Sequence, residues 1–283
     1  MQVIKQIKQT QATVLSWRDK GLKVGVVPTM GYLHDGHISL IKRAAAENDR
    51  VLVSIFVNPT QFAPTEDLAT YPRDMQRDMA NCEKNGVHVI FSPDTGEMYP
   101  NGFATQVELP SLSANLCGRS RPTHFRGVCT VCLKLFNITM PHKAYFGLKD
   151  AQQFFILKRL VKDIDLDLEL VPCPIVREPD GLAMSSRNAY LQPNERQAAL
   201  IINAALTKAQ DLIKIGERRA AVISKLIEST ISGEKLATID YIECVDTQTL
   251  SPVTDLVEET LVAVAVRIGR CRLIDNFIFP FKD

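Results

Sequence analysis

Residues 23–47 read KVGVVPTMGYLHDGHISLIKRAAAE. An apolar run at Val24–Val27 leads into a turn that contains glycine, and a stretch of helical character follows at 38–47. This order predicts a buried strand, a turn and a helix, which puts His34 and His37 at the carboxyl end of the strand, near the helix N-terminus. Open α/β sheets bind their ligands at that edge.

The same alternation continues through the first part of the chain. Strands are expected from the apolar runs 24–27, 51–57, 87–91, 143–146 and about 168–171, and helices from the segments 38–47, 73–84, 125–138 and 151–161. Strands that alternate with helices predict a parallel sheet, so we expect a Rossmann-like, doubly wound α/β domain over residues 1–174. Residues 92–124 are rich in Pro, Gly, Ser and Asn and are long for a connection, and segments of this length are usually functional or carry small elements of their own.

The pattern changes after Val171. Pro172 and Pro174 interrupt the chain, a polar loop follows, and Pro193 is suited to the first turn of a helix. We expect helices at about 193–214 and 218–231 and strands at 239–245, 261–268 and 273–279. Residues 175–283 are therefore predicted to form a smaller α+β domain that carries a Met-Ser-Ser-Arg loop.

Composition limits the classes of partner. The chain has 33 Lys and Arg against 32 Asp and Glu, a formal net charge of +1, so no bulk field favours nucleic acid or a membrane surface. No apolar run approaches the roughly 18 residues of a spanning helix, and we expect a cytoplasmic protein. The 7 cysteines are odd in number and dispersed, which predicts reduced thiols. Cys129 and Cys132 are interpreted as small buried hydrophobes of a helix.

The first turn contains neither G-x-G-x-x-G nor G-x-x-x-x-G-K-[ST]. Phosphates can still be held by the amides of a helix N-terminus, with imidazoles as hydrogen-bond donors, and His34 and His37 suit that role. Metal binding is the alternative, but the spacing supplies only two ligands, and Gly36 between them disfavours a regular helix that would aim both at one ion. A purely structural pair of histidines also stays open.

Two further polar turns follow predicted strands. Asn58 and Gln61 come after the strongest apolar run, where their amides could orient a small substrate or simply cap the loop. Lys149 and Asp150 follow the run at 143–146. The lysine could neutralise phosphate charge, and the aspartate could cap the next helix or accept a hydrogen bond from a ribose hydroxyl. A solvated Lys-Asp turn is equally compatible with the spacing.

Residues 180–188 read DGLAMSSRN and form a polar loop near the expected domain junction. Two hydroxyl groups and an arginine next to each other in such a loop can surround triphosphate oxygens. Serine-rich loops between domains are common, so this stretch alone does not decide between a ligand loop and a linker.

Taken together and in this order, these segments resemble the pantothenate synthetase family, whose members ligate pantoate to β-alanine while ATP is cleaved to AMP and pyrophosphate. The resemblance runs through most of the chain and is carried by residues 27–31, 34–37, 53–62, 124–128, 146–153, 180–188 and 272–276. The family belongs to the nucleotidyltransferase superfamily with a His-Ile-Gly-His signature, here His34 to His37. Its mobile Lys-Met-Ser-Lys-Ser loop is varied here to residues 184–187.

The resemblance implies a site for ATP, used as a substrate with Mg²⁺, and neither a tightly bound cofactor nor a protein metal site. It implies ATP contacts from Met30, Gly31, Tyr32, Leu33, His34, Asp35, Gly36, His37, Gly147, Leu148, Lys149, Asp150, Val176, Met184, Ser185, Ser186 and Arg187. The catalytic groups among them are expected to be His37 as proton donor, with His34, Lys149, Ser185, Ser186 and Arg187. Gln61, Gln153 and Asn58 are expected to bind the substrates.

The resemblance also implies a homodimer that acts on small molecules, with a pantoyl adenylate as intermediate and residues 180–188 as a lid. Leu148 and Ala151 depart from the family, which usually has Phe-Gly-Glu-Lys-Asp followed by an aromatic residue. If Leu148 matters, it would change local hydrogen bonding or loop order. The rival interpretations are an adenylyltransferase that stops after AMP transfer, a nucleotide-binding module without turnover, and a metal hydrolase.

Overall fold

The computed structural model describes residues 1–64 and 66–281, and within them the chain divides into two compact units. The first unit comprises residues 1–110, 121–148 and 156–174. The second comprises residues 111–120 and 149–155 and the chain from residue 175 onward. The second unit therefore takes in two segments that lie far earlier in the sequence than its main body.

Over its described residues, the first unit holds a sheet of six strands. These are β1 Gln2–Ile4, β2 Val24–Thr29, β3 Arg50–Ile55, β4 Val89–Phe91, β5 Lys143–Gly147 and β6 Glu169–Cys173, all parallel and in the order β1-β4-β3-β2-β5-β6. The Rossmann-like, doubly wound prediction is confirmed. The chain leaves β2 for β3 on one side and reaches β5 on the other, so the topological switch point lies beside β2.

Helices flank this sheet because their apolar residues recur on one side. They are α1 Ile7–Arg18, α2 Asp35–Glu47, α3 Met75–Lys84, α4 Thr95–Met98, α7 His124–Thr139 and the part of α8 Ala151–Asp163 from residue 156 onward, whereas α5 Pro110–Ser113 and α6 Cys117–Ser120 lie mainly in the second unit. In α2, Leu40, Ile41 and Ala44 are buried and join the core formed with Val27 and Val53 of the sheet. This packing sets the N-terminus of α2 against the carboxyl end of β2.

The second unit has an antiparallel sheet, in the order β7-β8-β9 over the residues described. Its strands are β7 Ala237–Asp246, β8 Thr260–Ile268 and β9 Cys271–Phe279, and its helices are α9 Pro193–Ala198, α10 Leu200–Lys214 and α11 Ala220–Ile231. Ile202 of α10 and Ile223 of α11 share a core with Val264 of β8 and with Leu273 and Phe277 of β9. The predicted small α+β architecture is confirmed.

Some elements differ from the sequence-based expectation. Neither β1 nor α1 is predicted, because β1 is a short edge strand and α1 buries little beyond Thr10 and Val14. Residues 92–124 contain the short helices α4, α5 and α6. The helix expected at 193–214 is divided at Ala199, where α9 ends and α10 begins. In residues 1–64 and 66–281, no helix combines the length and apolarity needed to cross a bilayer.

Candidate active site

The turn after β2 carries an unusual backbone. Gly31 has a φ of +82° and Tyr32 a φ of +52°, both in the left-handed region. A Cβ at Gly31 would lie 2.9 Å from Ile55 Cγ2 and 3.0 Å from Asp78 Oδ2, so only glycine fits there without displacement of its neighbours. The chain then enters α2 with His34 as its N-cap residue.

Asp78 of α3 holds this turn from outside. Its side chain accepts hydrogen bonds from the backbone N–H of Tyr32 at 2.8 Å and from that of Leu33 at 2.7 Å. Asp78 is only 1% exposed. Burial raises the pKa of its carboxyl group, although the two N–H donors oppose that rise. The Arg77 guanidinium lies 5.3 Å from the centre of the Tyr32 ring. Asp78 is thus a buried anchor of the predicted ATP loop.

The two histidines lie side by side at the start of α2. Their ring centroids are 4.0 Å apart, and the backbone N–H of His34 donates to His37 Nδ1 at 3.3 Å. Since Nδ1 accepts, the proton of a neutral His37 ring is on Nε2. Gly36 lies within the first turn of α2, so the prediction that it disfavours a regular helix is wrong. Among residues 1–64 and 66–281, no group of three or more His, Cys, Asp or Glu could hold a metal ion.

Asn58 organises the turn after β3. It is 1% exposed and is the N-cap of a 3-10 turn, Pro59–Gln61. Its Oδ1 accepts from Tyr99 Oη at 2.8 Å and from Thr60 Oγ1 at 3.0 Å. Its Nδ2 donates to Gln61 Oε1 and to Gly127 O, each at 3.2 Å. These contacts match the loop-capping interpretation of Asn58 and show that the residue acts on Gln61.

The carboxamide of Gln61 has a defined orientation. Its Oε1 faces Asn58, and its Nε2 lies 3.1 Å from Met30 Sδ. The turns after β2 and β3 therefore meet through side chains, as expected for neighbouring strands whose carboxyl ends share one edge. A Cβ at Gly127 of α7 would overlap the carbonyl group of Thr60, so glycine allows the helix to approach this turn closely.

The backbone of Gln61 is held by cationic and imidazole groups. Its carbonyl oxygen accepts from Arg121 Nη2 at 3.3 Å and lies 2.9 Å from His124 Nδ1. Arg121 also donates to both carboxylate oxygens of Glu66, at 2.6 Å and 2.8 Å. Burial raises the pKa of Glu66, but Arg121, together with the N–H of Ala63 and the charge of His124, lowers it more, and the pKa lies below its usual value. This pair supports the turn after β3 that carries Gln61.

The second unit contains the predicted site residues from Lys149 onward. Lys149 Nζ lies 3.8 Å from Asp150 Oδ2, and the carbonyl oxygen of Lys149 accepts a hydrogen bond of 2.9 Å from Asn276 Nδ2. Gln153 is partly exposed in the first turn of α8. Gln152 beside it is buried and bonds within the unit. Lys149 is therefore fixed at its backbone by a residue of β9.

The loop predicted to be a lid is also ordered by internal contacts. The N–H of Met184 donates to the carbonyl oxygen of Val176 at 3.0 Å, so these two predicted ATP contacts face each other. Ser185 caps a 3-10 turn, Ser186–Tyr190, and its Oγ accepts from the N–H of Arg187 at 3.3 Å. Glu178 accepts from Asn188 Nδ2 at 2.7 Å.

The predicted site residues fall into two groups by unit. The carboxyl edge of the first unit's sheet carries Met30, Gly31, Tyr32, Leu33, His34, Asp35, Gly36, His37, Asn58, Gln61, Gly147 and Leu148. The second unit carries Lys149, Asp150, Gln153, Val176, Met184, Ser185, Ser186 and Arg187. Sequence reasoning missed Asp78, Tyr99 and Arg121, for which the sequence offered no local signal. Asn276 lay in a segment already noted, 272–276, to which no role had been given.

The doubly wound sheet, with its histidine-bearing turn beside the switch point, defines an α/β protein of the Rossmann-like class. A family model described as Pantoate-beta-alanine ligase matches residues 2–278. The chain belongs to this family. Its members are ligases of pantothenate biosynthesis, so the chain is an enzyme of that class.

Individual relatives agree with the family model. The chain is 53% identical to the pantothenate synthetase of Clostridium botulinum (strain Loch Maree / Type A3) over 279 residues, with 99% of each chain covered. It is 54% identical to that of Thermotoga neapolitana over 278 residues, which is 98% of this chain and 99% of the relative.

Solved structures show the same fold. The crystal structure of pantothenate synthetase from Thermus thermophilus has a TM-score of 0.92 at 41% identity and covers 98% of this chain and 99% of its own. The pantoate-beta-alanine ligase from Francisella tularensis, complexed with beta-gamma ATP and beta-alanine, has a TM-score of 0.80 at 37% identity and covers 100% and 99%.

Proposed function

We propose that the protein condenses (R)-pantoate with β-alanine to pantothenate through a pantoyl adenylate, with release of AMP and pyrophosphate. The observation that carries this proposal is the paired arrangement of His34 and His37 at the N-terminus of α2, beside the switch point of the sheet. The Francisella relative, solved in complex with beta-gamma ATP and beta-alanine, supports ATP and β-alanine as substrates.

The first step is activation of pantoate, because a free carboxylate has no good leaving group. One carboxylate oxygen of pantoate attacks the α-phosphorus of ATP, an O–P bond forms, and the bond to the bridging oxygen breaks to release pyrophosphate. Charge on the phosphoryl oxygens is met by the α2 amides and by Nε2–H of His37. We assign further donors and cations to His34, Lys149, Ser185, Ser186 and Arg187.

The second step forms the amide. The neutral amine of β-alanine attacks the carbonyl carbon of the adenylate, the C–N bond forms, the C–O bond to AMP breaks, and the amine loses a proton, which is released to solvent with AMP. Gln61 and Gln153 are proposed to bind pantoate, and the fixed carboxamide of Gln61 supports this role because its N–H donors are already oriented. The loop at 180–188 is proposed to exclude water, since an acyl adenylate hydrolyses readily.

Mg²⁺ would enter as part of the ATP substrate, because this hard cation is usually bound through phosphate oxygens. We further propose a homodimer in the cytoplasm, and a domain organisation of residues 1–174 and 175–283. Sedimentation of the purified chain tests the dimer, and expression of residues 1–174 alone tests the domain boundary.

The decisive experiment follows an oxygen atom. With pantoate labelled with ¹⁸O in its carboxylate, attack on the α-phosphorus transfers one labelled oxygen to AMP when β-alanine completes the reaction. The same enzyme should exchange labelled pyrophosphate into ATP when pantoate is present and β-alanine is absent. Unlabelled AMP, together with no pantoate-dependent exchange, would exclude the adenylate and favour a different acceptor.

A further inference from the structure

The segment Arg272–Asn276, which reads RLIDN, lies in β9. Cys271, Leu273 and Phe277 belong to the core shared with α10 and α11. Because side chains alternate along a strand, Asp275 lies on that face, while Arg272 and Asn276 lie on the opposite face. Asp275 and Asn276 are both buried, with exposures of 3% and 5%. Two adjacent buried polar residues in one strand require an explanation.

Asn276 acts on the segment that carries Lys149. Its Nδ2 donates to the carbonyl oxygen of Lys149 at 2.9 Å. On the same face, Arg272 donates to Asp240 Oδ2 at 2.7 Å and to Ser120 Oγ at 3.2 Å. The face of β9 that carries Arg272 and Asn276 therefore contacts both early segments of the second unit, 111–120 and 149–155.

Gln152 joins these two segments to each other. Its Oε1 accepts from the backbone N–H of Cys117 at 2.9 Å, and its Nε2 donates to the carbonyl oxygen of Asn115 at 2.8 Å. The start of α8 is therefore secured at two points, by Asn276 at Lys149 and by Gln152 three residues further on. The backbone of Lys149 has little freedom to shift.

Asp275 acts on a second segment with a proposed catalytic cation, the loop that carries Arg187. It accepts two hydrogen bonds from Arg177, at 2.7 Å from Nη1 and 3.0 Å from Nη2, the bidentate geometry that fixes a guanidinium plane. Arg177 Nη1 also donates to the carbonyl oxygen of Gly181 at 3.1 Å. Arg177 pairs with Ala183 across the base of the loop, directly before Met184.

We propose that Asp275 and Asn276 are positioning residues that set two groups of the reaction from one strand. Asn276 places Lys149 through its backbone, and Asp275 places the loop that carries Ser185 to Arg187. Neither residue contacts substrate in this assignment. The inference rests on the proposed function, because it presumes that Lys149 and Arg187 act on phosphoryl oxygens.

A double-mutant cycle tests the link between Asn276 and Lys149. We expect Asn276→Ala to lower kcat for pantoate-dependent pyrophosphate release about tenfold, with little change in KM for pantoate. If Asn276 acts through Lys149, the double variant should be no slower than Lys149→Ala alone, since the effects of residues that act as a unit do not add. Asn276→Ser, which retains a donor, should recover part of the rate. The same cycle with Asp275→Asn and Arg187→Ala tests the second link.

Phe277→Leu is the matched control, because it alters the same strand through its apolar core contacts. It should lower Tm and reduce the rate by the same factor in the wild-type and Lys149→Ala backgrounds. Multiplication of the Asn276 and Lys149 effects in the double variant would overturn the positioning role and leave the proposed function intact. A normal rate in Lys149→Ala would instead show that the assignment of Lys149, and with it the inference, is wrong. If Asn276→Ala does not fold, Asn276→Ser serves in the cycle.

Discussion

The phenolic oxygen of Tyr99 donates a hydrogen bond of 2.8 Å to Asn58 Oδ1. Tyr99 is the residue at the end of α4, in a region that the sequence marks only as a long polar connection. Asn58 in turn orients the side chain of Gln61, because its Nδ2 donates to Gln61 Oε1. The orientation of a proposed substrate-binding amide is thus set by a hydroxyl group that need not touch the substrate.

Tyr99→Phe removes this hydroxyl and keeps the ring against Phe56 and Phe103. We expect KM for pantoate to rise about 2- to 10-fold, the range for loss of one neutral hydrogen bond, with KM for ATP unchanged. Initial rates with each substrate varied in turn measure the effect. Tyr145→Phe is the control, since its hydroxyl contacts Asn48 and is remote from the Gln61 turn in sequence and in bonding. Equal changes in both variants would contradict the role of Tyr99.

Asp78→Ala removes the acceptor for two backbone N–H groups of the turn after β2. The turn would then leave its left-handed geometry, and we expect the rate of adenylate formation to fall about 10- to 100-fold. Pantoate-dependent exchange of pyrophosphate into ATP measures this step. Asp74→Ala, which removes the N-cap of the same helix, should cost about 1 kcal/mol of stability without that loss of rate. A Tm shift alone in Asp78→Ala would identify the residue as structural.

His37→Ala should lower adenylate formation at least about a hundredfold, the size of effect seen when a transition-state donor is removed. Single-turnover release of pyrophosphate isolates the step from product release. His142→Asn alters another histidine of the same unit, one that accepts from the N–H of Val24 at the opposite end of β2. That variant should keep its rate, and an unaffected His37→Ala would refute the assignment.

Glu47 supplies a prediction for stability in acid. The hydrogen bond from Arg43, with those from Lys143 and Tyr145, lowers the pKa of Glu47 to about 2. The stabilisation is complete above the usual carboxyl pKa and is lost as pH falls toward the folded value. Because the Arg43–Glu47 ion pair is partly exposed and screened by solvent, we expect Glu47→Gln to lower the free energy of unfolding by on the order of 1 kcal/mol at pH 7. Urea unfolding should show a smaller difference from wild type at pH 3, and an equal difference would argue against the ion pair.

Much of the fold follows from local patterns. The central strands can be predicted from the sequence because they are buried on both faces and therefore appear as continuous apolar runs, such as Val51–Val53. In contrast, β1 pairs over residues 2 to 4 at the sheet edge, too short for any pattern to emerge. The division of α9 from α10 depends on Ala199, a residue with high helix propensity that carries no stop signal.

The candidate site residues that the sequence predicts are those that follow a strand, whereas the supporting residues that it misses lie far along the chain from their partners. His34 and His37 directly continue β2, so topology alone puts them at the binding edge. Asp78, Tyr99 and Asn276 reach their partners across 46, 41 and 127 residues of chain. Such contacts depend on how helices and strands pack, which the spacing of residues does not encode.

The burial of every cysteine has a practical consequence. All 7 cysteines lie within the described residues and are buried, and burial raises the pKa of Cys82 and of Cys129 to about 12. The thiolate, not the thiol, reacts with maleimides, so we expect that these reagents do not label the native protein. A single cysteine introduced at exposed Ala189, in the turn after Arg187, would then carry a fluorophore with no background labelling. The fluorescence of that label would then report whether the loop at 180–188, which we propose excludes water, moves during turnover.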